Sequence, residues 1–177
     1  MQGVMNLIWE KLLPAFGPRP LKSEAASEKI LADKLTSLTV RPAAGRETSP
    51  LAAKFLGRTF VFPANEQKLE AITVTPDKTG SGVTVALVVR GLTHQFASSH
   101  RRWQEDPGTF GTYFNQPAAA TSAWATDDTY VIKQCFTETP FYVTHKLRFD
   151  GPQVFYDAES NVGFRGTKQP QLVGRAE

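Results

Sequence analysis

Three histidines and one cysteine are the residues of this chain whose chemistry could serve a metal site or a nucleophilic reaction. They are His94, His100, His145 and Cys135. The histidines show no i, i+2 or i, i+4 spacing, and one cysteine cannot form a multi-cysteine zinc site. Cys135 lies in an apolar stretch that reads as a strand, where a free cysteine usually packs as a small core residue. Asp127 and Asp128 follow Trp124 at a position typical of a turn. The sequence therefore predicts no metal site and no cofactor.

A serine hydrolase needs a nucleophilic serine with a base held beside it. The known sequence motifs that supply such a pair are absent from this chain. A Ser-x-x-Lys pair places an amine one helical turn after the serine, and no such pair occurs. A Gly-x-Ser-x-Gly turn is also absent from the sequence. Two tripeptides, Lys78-Thr79-Gly80 and Tyr113-Phe114-Asn115, look like motif fragments of penicillin-recognising serine hydrolases, but their order is reversed. We expect no catalytic residue here, and an enzyme complete in this chain is not predicted.

Aromatic residues are the strongest signal that remains, with 12 Phe, 4 Tyr and 3 Trp. They would fill the interior of a small barrel, or line a cavity that accepts an apolar ligand. In the second case the candidate ligand-binding residues are Arg102, Trp103, Trp124 and His145. His145 shares its parity with Val143 and Leu147 in an alternating stretch, so its side chain is predicted to point inward. An inward histidine is either a satisfied core residue or a polar contact for a ligand, and both interpretations stay open.

Two helices are predicted to precede the rest of the chain. Apolar residues recur at helical spacing over 4–16, until Pro14, Gly17 and Pro18 end the pattern. A second helix is predicted from a cap at Ser23 to about Leu38. A linker with no periodicity, residues 41–50, follows it. The first helix has more apolar surface than an exposed helix needs, so it must be covered by this chain or by something else.

After Gly57 the period changes to two, which predicts short strands separated by turns. The predicted strands cover 59–62, 69–75, 83–90, 93–97, 129–137, 141–149, 154–158 and 172–175. Sequential strands without helices between them pack as two sheets or close on themselves, which removes exposed edges. The sequence therefore predicts a mainly β fold: an antiparallel meander that closes into a β-barrel of about eight strands, with one or two N-terminal helices. The predicted division is a helical segment with its linker, 1–48, and a barrel, 49–177.

Composition and charge exclude some classes of binding partner. The 177 residues carry 20 Lys and Arg against 17 Asp and Glu, a net charge of +3, with 41% hydrophobic residues. The densest basic spot, His100-Arg101-Arg102, is too short to track phosphates, so nucleic acid is not expected as a partner. The longest apolar run, Val85–Val89, cannot span a bilayer. No basic region followed by a long apolar stretch begins the chain, which slightly favours the cytoplasm.

Several strings of this sequence, taken together, resemble in the same order the C-terminal region of bacterial β-lactamase-related serine hydrolases, the class C β-lactamase and esterase-like group. They are Leu7-Ile-Trp-Glu-Lys-Leu-Leu-Pro14, Ser49-Pro-Leu-Ala-Ala-Lys54, Gly57-Arg-Thr-Phe60, Ser122-Ala-Trp-Ala-Thr-Asp-Asp-Thr-Tyr-Val131, Cys135-Phe-Thr-Glu-Thr-Pro-Phe141, Leu147-Arg-Phe-Asp-Gly151, Asp157-Ala-Glu-Ser-Asn-Val-Gly-Phe164 and Pro170-Gln-Leu-Val-Gly-Arg175. The resemblance covers nearly the whole chain. It implies a lipocalin-like accessory barrel, whose N-terminal helix joins a catalytic domain.

The hydrolase domain itself has no counterpart in this chain, so the resemblance transfers no catalytic residue. It implies a non-catalytic accessory module that shapes substrate access or assembly of a serine hydrolase catalytic domain, in cis or in trans, through the N-terminal helix. The alternative is an autonomous lipocalin-like barrel that binds a small apolar ligand. An enzyme with an unrecognised site is a third hypothesis.

The isolated protein should not hydrolyse β-lactam or short-chain ester probes, because the sequence contains no Ser-x-x-Lys pair and no Gly-x-Ser-x-Gly elbow. A chromogenic assay on purified protein measures this directly. Turnover that survives purification and disappears on one Ser→Ala substitution would contradict the expectation.

Overall fold

The structure is a computed structural model that describes residues 2–19, 23–78, 80, 82–111, 113–163 and 166–177. The chain divides into two compact units, Met1–Val40 and Arg41–Glu177. The second unit begins eight residues earlier than the division drawn from the sequence at 48/49. The linker residues 41–48 belong with the strands.

The first unit is helical. Helix α1 (Gln2–Leu7) continues as a π-helical stretch (Ile8–Leu12) and a 3-10 turn (Leu13–Ala15), and α2 spans Ala25–Thr36. The predicted cap at Ser23 is wrong, since Glu24 precedes the first helical residue and the Ser23 hydroxyl instead donates to Glu28 Oε1 at 2.6 Å. None of these helices contains a buried residue.

Among its described residues, the second unit contains a short helix, α3 (Ala52–Phe55), and twelve strands. The strands are β1 (Thr59–Val61), β2 (Leu69–Pro76), β3 (Gly82–Val89), β4 (Leu92–Ser99), β5 (Gln104–Glu105), β6 (Gly108–Phe110), β7 (Tyr113–Gln116), β8 (Ala118–Trp124), β9 (Thr129–Phe136), β10 (Tyr142–Asp150), β11 (Gln153–Ser160) and β12 (Leu172–Ala176). All eight predicted strands are present, with bounds that differ by a few residues.

Nine of these strands form a closed barrel, which confirms the predicted mainly β fold with N-terminal helix. The strand order is β4-β3-β2-β1-β12-β11-β10-β9-β8, and a parallel contact between β4 and β8 closes the ring. The other pairings in the ring are antiparallel. Strand β5 pairs with β8 outside the ring, and β6 and β7 form a separate hairpin.

Side chains that alternate along the strands fill the barrel interior. On β10 the inward residues Val143, His145, Leu147 and Phe149 are all buried. Phe141, predicted to share that face, is half-buried and lies just before the strand. The inward residues of β9 and β11 alternate in the same way and belong to the same core. The predicted interior is therefore filled by side chains.

The ninth barrel strand, β8, was not predicted from the sequence. Its residues Ala-Ala-Ala-Thr-Ser-Ala-Trp are buried at all seven positions, so they show no period of two. The linker pairs with the end of this strand: Arg46 and Trp124 exchange two backbone hydrogen bonds of 2.8 Å. A Cβ on Gly45 would lie 2.3 Å from the Trp124 carbonyl oxygen, so the backbone approach requires glycine here.

The hairpin β6–β7 packs against inner faces of the barrel. The Phe110 ring meets the His145 ring with centroids 5.4 Å apart, and the Tyr113 ring stacks on Phe136 at 4.8 Å. A Cβ on Gly108 would lie 2.3 Å from the side-chain nitrogen of Gln134, so β6 approaches β9 closely. The hairpin thus contributes side chains to the interior.

Leu147→Ala should lower the free energy of unfolding by about 2 to 5 kcal/mol, because Leu147 is fully buried at the centre of β10 and its removal leaves a cavity. A urea titration with unchanged slope measures the loss. The matched control is Leu92→Ala on β4, where Leu92 is 61% exposed and the change should stay within about 0.5 kcal/mol. A loss below about 1 kcal/mol at Leu147 would mean that the interior is open.

Candidate functional site

A buried polar layer crosses the barrel where the hairpin meets β9, β10 and β11. His145 on β10 stands opposite Ile132 on β9 and Ala158 on β11. A hydrogen bond of 2.8 Å joins its Nδ1 atom to the Tyr156 hydroxyl. Gln134 lies on the same inner face, one inward position further along the barrel, opposite Val143. Two buried polar side chains and a tyrosine thus share the interior with large apolar groups.

The polar layer carries no charge at neutral pH. Burial lowers the pKa of His145 to about 4, so its imidazole is neutral. Burial, with a smaller contribution from the Asp157 charge, raises the pKa of Tyr156 well above its usual range. The buried polar side chains of the described residues include no Lys, Arg, Asp or Glu. The layer can therefore exchange hydrogen bonds but cannot neutralise an ion.

Three polar atoms of this layer have no hydrogen-bond partner among the described residues. They are Nε2 of His145 and both side-chain amide atoms of Gln134. Leaving such a group unpaired in an apolar interior costs about 1 to 3 kcal/mol, and native proteins contain few of them. The arrangement is expensive in stability, which marks the layer as a place where a hydrogen-bonding group would be accepted.

A cavity of about 230 Å³ opens at the mouth above this layer. Its apolar walls come from β2, β3, β11 and the hairpin region: Leu69, Leu87, Val89, Phe110, Phe114 and Tyr156. Glu66 and Arg90 lie at its exposed rim. The Phe110 ring lines the cavity and also contacts His145. Shape and lining suit a small apolar group.

A second polar cluster lies towards the end of the barrel where α3 packs. Ser98 and Ser122 are joined by a 2.8 Å hydrogen bond, and the Tyr130 hydroxyl donates to Ser122 Oγ at 2.7 Å. Burial raises the pKa of Tyr130 to about 12, which makes it a poor base. Ser122 and Tyr130 line a cavity of about 90 Å³ with Trp124. No histidine hydrogen bond reaches Ser122 among the described residues, so the cluster lacks an activated nucleophile.

The predicted ligand-binding residues do not form one site. Trp124 is fully buried beside Tyr130, and the exposed Arg102 lines an adjoining surface cleft of about 260 Å³. Trp103 is half-buried next to Arg102 in the chain. His145 belongs to the polar layer instead. Its inward orientation agrees with the parity argument, and one ring nitrogen is satisfied while the other is not.

The sequence did not lead to three residues of this region. They are Gln134 and Tyr156 of the polar layer, and Phe110, which packs on His145. The signal for two of them was present, because Gln134 shares the inward parity of Tyr130 and Ile132, and Tyr156 that of Val154. Phe110 gave no such signal, since its strand has three residues and its place depends on the hairpin.

The structure places the Tyr113-Phe114-Asn115 fragment in the hairpin. Tyr113 lies in β7 and stacks on Phe136. Thr79, in the middle of the Lys78-Thr79-Gly80 fragment, lies outside the described residues. So does Phe164, the last residue of one of the strings that resemble the serine hydrolases. Cys135 is half-buried, and burial raises the pKa of its thiol. Within the described ranges, no group of three or more His, Cys, Asp or Glu is placed to hold a metal ion.

No protein family and no curated protein matches the chain. Among solved structures, the barrel is similar to a chain named "REP1-NXSQ fatty acid transporter", with 6% identity and a TM-score of 0.51. The match covers 71% of this chain and 98% of that chain. At this identity the likeness shows a shared barrel fold. Among the described helices, none has the length and apolarity to cross a membrane.

His145→Gln should reduce the loss of stability on acidification. The folded-state pKa of about 4 lies below the value of 6.5 expected for an exposed histidine, so the unfolded chain takes up the proton first as pH falls. This contribution is complete above about pH 6.5 and is lost towards pH 4, by about 3 kcal/mol at most. Urea titrations at pH 7 and pH 4.5 measure the free energy of unfolding.

The control is Tyr156→Phe, which removes the hydrogen bond but keeps the buried imidazole. Because burial is the cause of the shift, this variant should retain the pH dependence of the wild type. Equal acid losses in the wild type and His145→Gln would show that His145 does not titrate in this way.

Proposed function

We propose that this chain is a non-catalytic accessory β-barrel whose N-terminal helices, residues 2–15 and 25–36, dock on an apolar surface of a partner domain. The observation that carries the proposal is the exposure of the large apolar side chains in this helical segment. Trp9 is 63% exposed and Phe16 is 74% exposed, and neither helix has a buried residue. Exposed large apolar side chains gathered on one segment are typical of an interaction site.

The segment has little to hold it folded by itself. Helix α1 with its continuation spans residues 2–15, and α2 has twelve residues. Isolated helices of 12 to 15 residues or fewer are marginal in water, because nucleation is costly and packing supplies most helical stability. Burial against a partner contributes roughly 25 cal/mol for each Å² of apolar surface. Docking therefore stabilises the helices and covers their apolar side chains together.

The resemblance to β-lactamase-related serine hydrolases supplies the chemistry of the partner, a serine hydrolase catalytic domain in cis or in trans. A filled barrel with exposed apolar helices fits such a module better than a container for a large ligand. The barrel then shapes access to, or assembly of, an active site that lies on the partner. No residue of this chain takes part in the reaction.

Trp9→Lys combined with Phe16→Lys should abolish docking, because two charges would be buried without partners. The reading frame that encodes this chain is first examined for in-frame or neighbouring Ser-x-x-Lys and Tyr-x-Asn motifs. The hydrolase domain so identified is co-expressed with the full chain, and complex formation is measured by size-exclusion chromatography with light scattering. We expect a complex for the wild type and none for the double variant.

The matched control is Leu92→Lys, which places the same charge on an exposed apolar position of the barrel, where Leu92 is 61% exposed. This variant should form the complex like the wild type. Docking through the helices would be contradicted if Leu92→Lys also abolished the complex. It would also be contradicted if the complex persisted in the Trp9→Lys, Phe16→Lys double variant. Absence of any hydrolase motif near the frame would contradict the hydrolase partner.

A second candidate function is the binding of a small apolar ligand at the mouth of the barrel. Two observations favour it: the apolar cavity of about 230 Å³, and the fold shared with a protein named as a fatty acid transporter. The cavity lies just below the usual size of ligand pockets, about 300 to 1,000 Å³, so the ligand would be small. Binding of an aliphatic alcohol to the intact protein tests this candidate.

A further inference from the structure

Phe110 contacts both the mouth cavity and the buried polar layer. Its half-buried ring lines the cavity and meets the His145 ring nearly perpendicularly, with centroids 5.4 Å apart. Tyr156 also reaches both, since it lines the cavity and its hydroxyl is joined to His145 Nδ1. The apolar cavity and the polar layer thus share two aromatic side chains, Phe110 and Tyr156.

The polar layer offers unused hydrogen-bonding capacity. His145 is 1% exposed and Gln134 is fully buried. Nε2 of His145 and both amide atoms of Gln134 have no partner among the described residues. The two residues are diagonal neighbours on one face of adjacent strands, a geometry in which long side chains reach each other over about 7 to 8 Å. One polar head group can therefore serve both.

We propose that the barrel binds an uncharged amphiphile, a short aliphatic chain with one hydroxyl or amide group. The chain lies in the mouth cavity, and the head group bonds to Nε2 of His145 when the Phe110 ring turns aside. This inference rests on the second candidate function and adds the site and the chemical class of the ligand.

The electrostatics of the interior select an uncharged head group. The neutral imidazole and amide can bond a hydroxyl, but no buried cation of the described chain can pair with a carboxylate. Burying an unpaired carboxylate is far more costly than burying a hydroxyl. Arg90 at the rim is exposed, where ion pairs contribute little.

The hairpin can release Phe110 at low cost. Strand β6 has three residues, and its pairing with β7 shifts register between Gly108 and Phe110. Gly111 follows with a positive φ of 59°, a conformation that glycine adopts without strain. Two-stranded hairpins are marginal on their own, so this one stays in place through side-chain contacts with the barrel, among them Phe110 with His145 and Tyr113 with Phe136.

The test is isothermal titration calorimetry of the full chain with 1-octanol and with octanoate at pH 8, where octanoate is ionised. We expect 1-octanol to bind and octanoate to bind at least about tenfold more weakly. Phe110→Ala should raise the affinity for 1-octanol about three- to tenfold, because the open form no longer has to be populated from a closed one. The matched control is Phe155→Ala on β11, a half-buried phenylalanine that does not line the cavity, and it should leave the affinity unchanged.

The role of His145 is tested by two substitutions. His145→Leu removes the head-group partner and should weaken 1-octanol binding about three- to tenfold, while His145→Gln restores a hydrogen-bonding group and should recover most of the affinity. If His145→Leu does not fold, two results still test the proposal. They are the ratio of the 1-octanol affinity to the octanoate affinity, and the effect of Phe110→Ala on 1-octanol binding.

The outcomes separate the inference from the functions proposed above. If neither probe binds, the second candidate function fails and the inference fails with it. If both probes bind equally and Phe110→Ala changes nothing, the mouth cavity binds ligands but the polar layer does not, which overturns the inference alone. Docking of the helical segment is measured independently and is unaffected by either result.

Discussion

The barrel depends on one parallel contact. Strand β4 meets β8 at a single register pair, Ser99 opposite Thr121, and this pair closes a ring whose other neighbours are antiparallel. Thr121 Oγ1 donates to the Ser99 carbonyl oxygen at 3.0 Å, and the Ser98–Ser122–Tyr130 hydroxyls continue the hydrogen bonding inward. Without this contact β4 would end as an open edge, which invites pairing with other chains, whereas β8 also pairs with β5 on that side. A short polar seam therefore makes the sheet a barrel.

The same contact determines where the candidate site lies. Parallel neighbours cannot be joined by a tight turn, so the chain must cross back along the barrel between β4 and β8. Residues 100–117 make this return and contain β5 and the β6–β7 hairpin. The contacts of Phe110 with His145 and of Tyr113 with Phe136 place the hairpin against the inner faces of β10 and β9. The cover of the polar layer is thus a consequence of how the ring closes.

The alternation of apolar and polar residues predicted the strands in which one face is buried and the other is exposed to solvent. It identified β10 and the inward side of His145, and the same rule applied to β9 and β11 would have added Gln134 and Tyr156. It failed at β8, because the residues on both faces of that strand are buried and the contrast between faces is lost. Phe110 could not be found in this way, since its burial depends on a crossover that joins distant strands. The local sequence pattern therefore predicted most barrel strands. The side chain that the hairpin adds to the interior depends on tertiary contacts, which the pattern does not contain.

Whether this barrel is filled or hollow is a property of the hairpin more than of the strands. The strand side chains alone leave the polar layer facing a space that Phe110 occupies from one side. A two-stranded hairpin of short strands has little stability of its own, so it stays in place through the rings it buries. The unpaired atoms of Gln134 and His145 oppose that packing, because each would gain a hydrogen bond if a polar group replaced the ring. The filled barrel is therefore a balance between aromatic burial and unsatisfied polarity. Counting bulky residues on one strand cannot determine that balance.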